Sequence, residues 1–198
     1  MIELGADVPA ELVPLSWLIG LWEGTGLVNY TIGGETRELE FGQRVSFTHD
    51  GLPWLNYTSY VWLLDAAKTP LTTETGYWRL SRPAGPGDNG PGLLAGVGER
   101  PFTTSRAVET LRNADDGFDI EVSIVQPTGV SELYLGQVKG PRIDLATDAV
   151  MRSASAKDYA AATRLYGLVE GHLLWAWDIA AFGQQLKTHA SGRLARGE

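Results

Sequence analysis

The sequence predicts an all-β fold: an antiparallel up-and-down β-barrel of about ten strands with a short N-terminal helix. Three observations carry this. Segments with apolar residues at every second position follow one another at roughly 8–12-residue spacing, as in a meander. Between them fall breakers drawn from 24 Gly and 10 Pro, enough for tight turns throughout. Seven Trp and seven Tyr supply the large side chains that a half-buried sheet packs best. So many short strands must bury their edges or close on themselves, and closure leaves an interior wide enough for one small ligand. A two-sheet sandwich is the competing architecture. At 198 residues the chain has room for one well-buried domain (1–198, core about 15–196) rather than two.

The elements follow in order. In "VPAELVPLSWLIG" apolar residues fall at roughly helical spacing behind Pro9, which predicts a short helix or 3₁₀ turn ending near Gly20. "LWEGTGLVNYT" alternates as a strand, and "TRELEFGQRVSFTH" as a second one beyond the turn at Gly33–Gly34. "PWLNYTSYVWLLD" and "TTETGYWRLSRP" are further strands, each with a breaker in front. "PAGPGDNGPG" is a long loop. The meander resumes with "GLLAGVGE", "RAVETLRN", "GFDIEVSIVQPTG", "VSELYLGQVKG" and "PRIDLATDAV". "SASAKDYAAATRLYGLVEG" then leads into "HLLWAWDIAAFG", where Leu173, Trp175, Trp177 and Ile179 share a face. The closing "QQLKTHASGRLAR" reads as a tail beyond the last strand.

Composition removes several function classes. A net charge of −8 leaves no basic surface for a phosphate backbone, so nucleic acid is not an expected partner. The absence of cysteine excludes disulfides, thiolate metal sites, iron–sulfur clusters, a cysteine nucleophile and covalent haem attachment. The acidic start "MIELGADVPAELVPL" is unlike a secretory leader, and no apolar run is long enough to span a bilayer. A cytoplasmic protein with no membrane partner is expected. The G-x-S-x-G elbow and H-E-x-x-H are both missing, as is any histidine pair at chelating spacing.

Three groups of residues invite a functional reading. Gly20, Trp22, Gly24 and Gly26 in "GLWEGTG" share one face of the first strand. Either the glycines let the strand bend and pack closely with Trp22 as a plug, or the missing side chains make room for a flat ligand. Of three histidines, His172 follows Gly171 in a hairpin turn and reads as solvated. His49 ends an alternating strand and is a candidate for facing a pocket, whereas His189 sits in the tail and is a candidate ligand. Glu74 lies on a strand near Arg79, as an ion pair at the surface or in the interior.

These pieces resemble the nitrobindin family, small haem-binding barrels related in shape to fatty-acid-binding proteins and lipocalins. "GLWEGTG" matches the family's G-x-W-x-G-x-G signature, and "FTHDGLPWLNY" resembles its F-x-H-x-G-x-P stretch. "LTTETGYWR" is similar to its L-H-x-E-x-G-Y-x-R stretch, and "AFGQQLKTHASGRLAR" to its C-terminal G-Q-x-L-x-x-H segment. The resemblance implies non-covalent haem b, one per chain, with His189 as axial ligand of the ferric iron. It implies isomerisation of peroxynitrite to nitrate, with His189 catalytic through the iron, and reversible binding of nitric oxide. It places Lys157 beside a propionate, Trp22 and the glycine strand around the macrocycle, and His49 on the distal side. Where the family carries a second distal histidine this chain has Thr72, whose hydroxyl can still donate a hydrogen bond. Peroxynitrite and nitric oxide are thus the expected small-molecule partners, and assembly as a homodimer is left open. The rival reading is a calycin-type carrier of a fatty acid, for which Arg44 or Arg79 would serve as the interior cation.

Overall fold

The computed structural model describes residues 8–32, 34–181, 183 and 185–197. The leader reading at residues 1–7, the turn residue Gly33 and Gln184 of the C-terminal motif lie outside the described residues.

Period-two burial is clearest in Leu55–Leu63 and Phe118–Gln126, where buried and more exposed residues alternate. The strands are β1 (Gly20–Ile32), β2 (Glu35–Thr48), β3 (Leu55–Leu63), β4 (Pro70–Leu80) and β5 (Phe118–Gln126). They continue with β6 (Val130–Lys139), β7 (Arg142–Arg152), β8 (Tyr159–Val169), β9 (His172–Ala181) and β10 (Lys187–Arg196). Each pairs antiparallel with its sequence neighbour, and β10 returns to β1, so the barrel is closed. Closure removes every edge, as the expected architecture requires.

Two segments depart from the sequence reading. The supposed tail is β10, hydrogen-bonded on one side to β9 and on the other to β1, from Trp22↔Arg196 to Val28↔Ala190. With that edge filled, "GLLAGVGE" has no strand to join and runs as an exposed loop. "RAVETLRN" contributes a helix, α1 (Ser105–Glu109), rather than a strand; the Thr104 hydroxyl caps it by accepting the Ala107 N–H at 3.2 Å.

The 3₁₀ helix Ala10–Leu18 plugs one end of the barrel. Leu12, Leu15 and Leu18 are wholly buried against Trp22, Phe47, Trp78 and Ile120. Trp22 is held there by its indole N–H, which donates to the Leu18 carbonyl at 2.7 Å. Arg82 clasps the plug from outside, donating to Glu11 at 2.7 and 2.9 Å and to Asp88 at 2.6 and 2.9 Å. Among the described residues no helix is long and apolar enough to cross a membrane.

Candidate functional site

The other end of the barrel, where β1 finishes and β10 begins, stays open as a cavity of about 450 Å³. Its walls are apolar: Val28, Leu39, Phe41, Val61, Trp175 and Trp177 among them. The volume lies in the range of small-molecule and cofactor sites. His189 lines it beside Ala190, though strict alternation would send one of these neighbours outward. The β-bulge explains this. Thr188 faces Asp178 and Ala190 faces Trp177, so His189 is an extra residue in the β9–β10 ladder and its side chain is re-aimed.

The imidazole is partly buried and firmly placed. Trp177 meets it edge to face at 5.6 Å between ring centres, and the tilted Tyr30 ring stands 6.4 Å away. Burial pushes its pKa below the ordinary 6.5, against the opposing hydrogen bond to the Asn29 backbone. The ring is therefore neutral at neutral pH. A neutral imidazole keeps one nitrogen with a free lone pair, and this ring stands on the cavity wall.

A buried ionic strut forms the floor. Arg164 on β8 reaches across the interior to Glu74 on β4, with Nη2–Oε1 at 2.7 Å and Nη1–Oε2 at 2.9 Å. Glu132 stands 3.7 Å from the same guanidinium. Tyr57 donates to Glu74 at 3.0 Å, Arg164 donates to the Tyr134 hydroxyl at 3.0 Å, and Tyr134 and Tyr159 both donate to Glu132. Burial works to raise the Glu74 carboxyl, but Arg164 overrides it and holds the group below the ordinary range. Desolvation pushes the Tyr57 phenol well up. Arg164 also lies 4.3 Å over the face of Trp177, which ties the strut to the ring that buttresses His189.

The residues singled out in the sequence do not all meet here. Thr72 lines the cavity on β4, across the barrel from β10; its hydroxyl makes only a long 3.5 Å contact with the Thr73 carbonyl. Lys157 is exposed in the β7–β8 loop, at the same end of the barrel as His189, and does not line the cavity. His49 needs a correction. β2 sends Leu39, Phe41, Gln43 and Val45 along the cavity wall and Phe47 into the plugged core, so the residue two further on emerges at the opposite end. There its ring nitrogen accepts the Gly51 N–H at 3.2 Å.

The glycine motif also departs from its functional reading. None of Gly20, Trp22, Gly24 or Gly26 lines the cavity. A Cβ on Gly24 would sit 2.2 Å from the Arg193 carbonyl oxygen, and one on Gly26 would sit 2.3 Å from that of Ser191 and 2.4 Å from the Phe41 ring. The missing side chains let β1 and β10 approach, so they leave no space for a ligand.

Glu74 is buried, as one alternative held, but its partner is Arg164; Arg79 pairs on the outer surface with Glu121, and Arg44 with Glu23. The strut's signal was present in sequence. Ala162–Arg164–Tyr166, Thr72–Glu74–Gly76 and Val130–Glu132–Tyr134 each put a charge at an inward position of an alternating strand, and such a charge demands a partner. A wider groove of about 830 Å³ crosses the outer face and contains Asp115, Asp119, Asp144 and Asp178 but no histidine. Among the described residues no His, Asp or Glu cluster is arranged to hold a bare metal ion.

A flat apolar macrocycle needs apolar walls, an opening at which polar substituents meet water, and a neutral nitrogen donor for its metal. The His189 end provides these, and the plugged end does not. The fold and cavity define a closed β-barrel of the haem-binding kind. Residues 11–196 match the family described as "THAP4-like, heme-binding beta-barrel domain", and the chain belongs to that family. It is 67% identical over 198 residues, the whole of both chains, to a protein of Leifsonia xyli subsp. xyli named peroxynitrite isomerase. A protein of the same name from Clavibacter michiganensis subsp. michiganensis is 65% identical over 98% of each chain. The crystal structure of Rv2717c from M. tuberculosis superposes with a TM-score of 0.69 at 28% identity, covering 96% of this chain and 99% of that one.

Proposed function

We propose that this chain binds one haem b, non-covalently, in the His189 cavity, isomerises peroxynitrite to nitrate there, and binds nitric oxide reversibly at the same site. The observation that carries the reading is a neutral imidazole on the wall of an open apolar cavity, in a chain whose relatives are named for that reaction. Ferric haem, when bound, would supply Lewis acidity toward peroxynitrite.

The chain's own residues do the rest. His189 would hold the iron through its imidazole, with the Asn29 backbone orienting the ring and Trp177 bracing it. Thr72, on the strand across the cavity, offers a hydroxyl proton to a bound anion. The apolar walls keep competing water out and hold small fragments close together. Lys157 pairs with a propionate from the β7–β8 loop, which reaches the cavity end of the barrel.

The carrier alternative requires an interior cation free to hold a carboxylate. Arg164 is inside, but Glu74 and Glu132 already occupy it. The reading is tested by absorbance titration with haemin. Wild type is expected to saturate at one equivalent with a histidine-ligated spectrum, and rapid mixing with peroxynitrite to give accelerated decay to nitrate. His189→Ala is expected to lose stoichiometric binding; a variant with unchanged affinity and spectrum would overturn the assignment.

A further inference from the structure

We propose that Tyr30 is a site of self-nitration: the residue that takes up nitrogen dioxide whenever an isomerisation in the cavity fails to recombine. The proposal rests on the function proposed above and adds a covalent fate for one of the chain's own side chains.

The seven tyrosines fall into three settings. Tyr57, Tyr134, Tyr159 and Tyr166 are buried at the strut, with hydroxyls hydrogen-bonded to Glu74, Glu132 or Arg164. A nitro group beside any of these hydroxyls would have to displace the charged partner. Tyr60 and Tyr77 point outward from β3 and β4, 43% and 57% exposed, with the barrel wall between them and the cavity. Tyr30 is different. It lines the cavity mouth, is only partly buried, and stands 6.4 Å from the His189 ring. No described residue hydrogen-bonds its hydroxyl.

The indoles nearby are poorer targets. The Arg164 cation over the face of Trp177 opposes removal of an electron from that ring. Trp175 is held through its N–H, which donates to Gln43 at 2.8 Å.

The chemistry balances without a further oxidant. The O–O bond of peroxynitrous acid breaks to nitrogen dioxide and an oxygen fragment. That fragment takes one electron and one proton from the Tyr30 phenol and ends as water. Nitrogen dioxide then forms a C–N bond at the ring carbon next to the oxygen, and the hydrogen displaced there returns to the oxygen to restore the phenol. In sum, tyrosine and peroxynitrous acid give 3-nitrotyrosine and water.

The test is peptide mass spectrometry for the nitro increment after peroxynitrite is added to the full-length protein, with haemin and without. Tyr60 and Tyr77 report nitration from bulk solvent in the same sample. With haemin, Tyr30 is expected to carry more label than either exposed tyrosine despite its lower exposure. Without haemin, or in His189→Ala, the order is expected to reverse. The haemin titration and nitrate yield are read on the same samples. If haemin binds and nitrate forms faster but Tyr30 stays below Tyr60 and Tyr77, the self-nitration proposal is overturned and the proposed function stands. If haemin does not bind, both fall together.

Discussion

The two ends of this barrel are built from the same strands and behave as opposites. At the plugged end, β1 delivers Trp22 into a dry core with Phe47, Trp78 and the leucines of the 3₁₀ helix. A few residues further along, the same strand delivers Val28 and Tyr30 to the wall of an open cavity. Between them lies the Glu74–Arg164–Glu132 strut, which spans the interior and sets the depth to which a ligand can descend. The contrast teaches that stability and binding are separated along each strand. The plug supplies the packing, and the mouth is left free for an imidazole and a partly filled interior.

Substitutions at the two ends should therefore fail in different ways. Trp22→Ala removes one of the fully buried tryptophans of the plugged end and is expected to cost about 3–5 kcal/mol in denaturant unfolding. If the variant that remains folded still takes up haemin normally, the separation of the ends is sharpened; a selective loss of haemin binding would break it.

Glu74→Gln tests the strut. Removing one charge from a buried, hydrogen-bonded pair is expected to cost about 3 kcal/mol. It also leaves Arg164 less neutralised on an apolar cavity. A fluorescent fatty acid is expected to bind this variant and not wild type, and failure to bind the variant would show that the strut does not decide ligand class.

Gly26→Ala acts at the seam of β1 and β10. The added methyl meets the Ser191 carbonyl and the Phe41 ring, and a loss of about 1–3 kcal/mol is expected in thermal unfolding. An unchanged midpoint would return the glycine motif to its ligand reading.

The smallest effect is expected in acid. Hydrogen bonding to Arg82 lowers the Asp88 pKa from 3.8 to about 2. A carboxylate depressed in the folded state contributes stability that is full above its unfolded value and lost as pH falls through the folded one. The clasp over the plug should thus loosen between about pH 4 and pH 2. Asp88→Asn should flatten that part of the stability curve; an unaltered acid limb would show that the clasp contributes nothing.

Much of this was legible in the chain itself. Alternation and breakers defined most of the strands, because side-chain period and turn chemistry are local properties. The helix at Ser105–Glu109 was missed because a capped segment this short leaves little periodic signal. β10 was missed because "KTHASGRLAR" is polar and small, and becomes a strand by filling the gap between β9 and β1.

By itself the sequence determined an antiparallel all-β chain, an interior free of thiols, and a histidine close to its end. The tertiary structure alone decided which residues share a wall. Arg164 finds Glu74 from 90 positions away, His49 and His189 part to opposite ends, and a one-residue bulge turns His189 onto the cavity wall. The physical reason is that barrel neighbours are set by strand register and closure, and these are fixed only when all ten strands have paired.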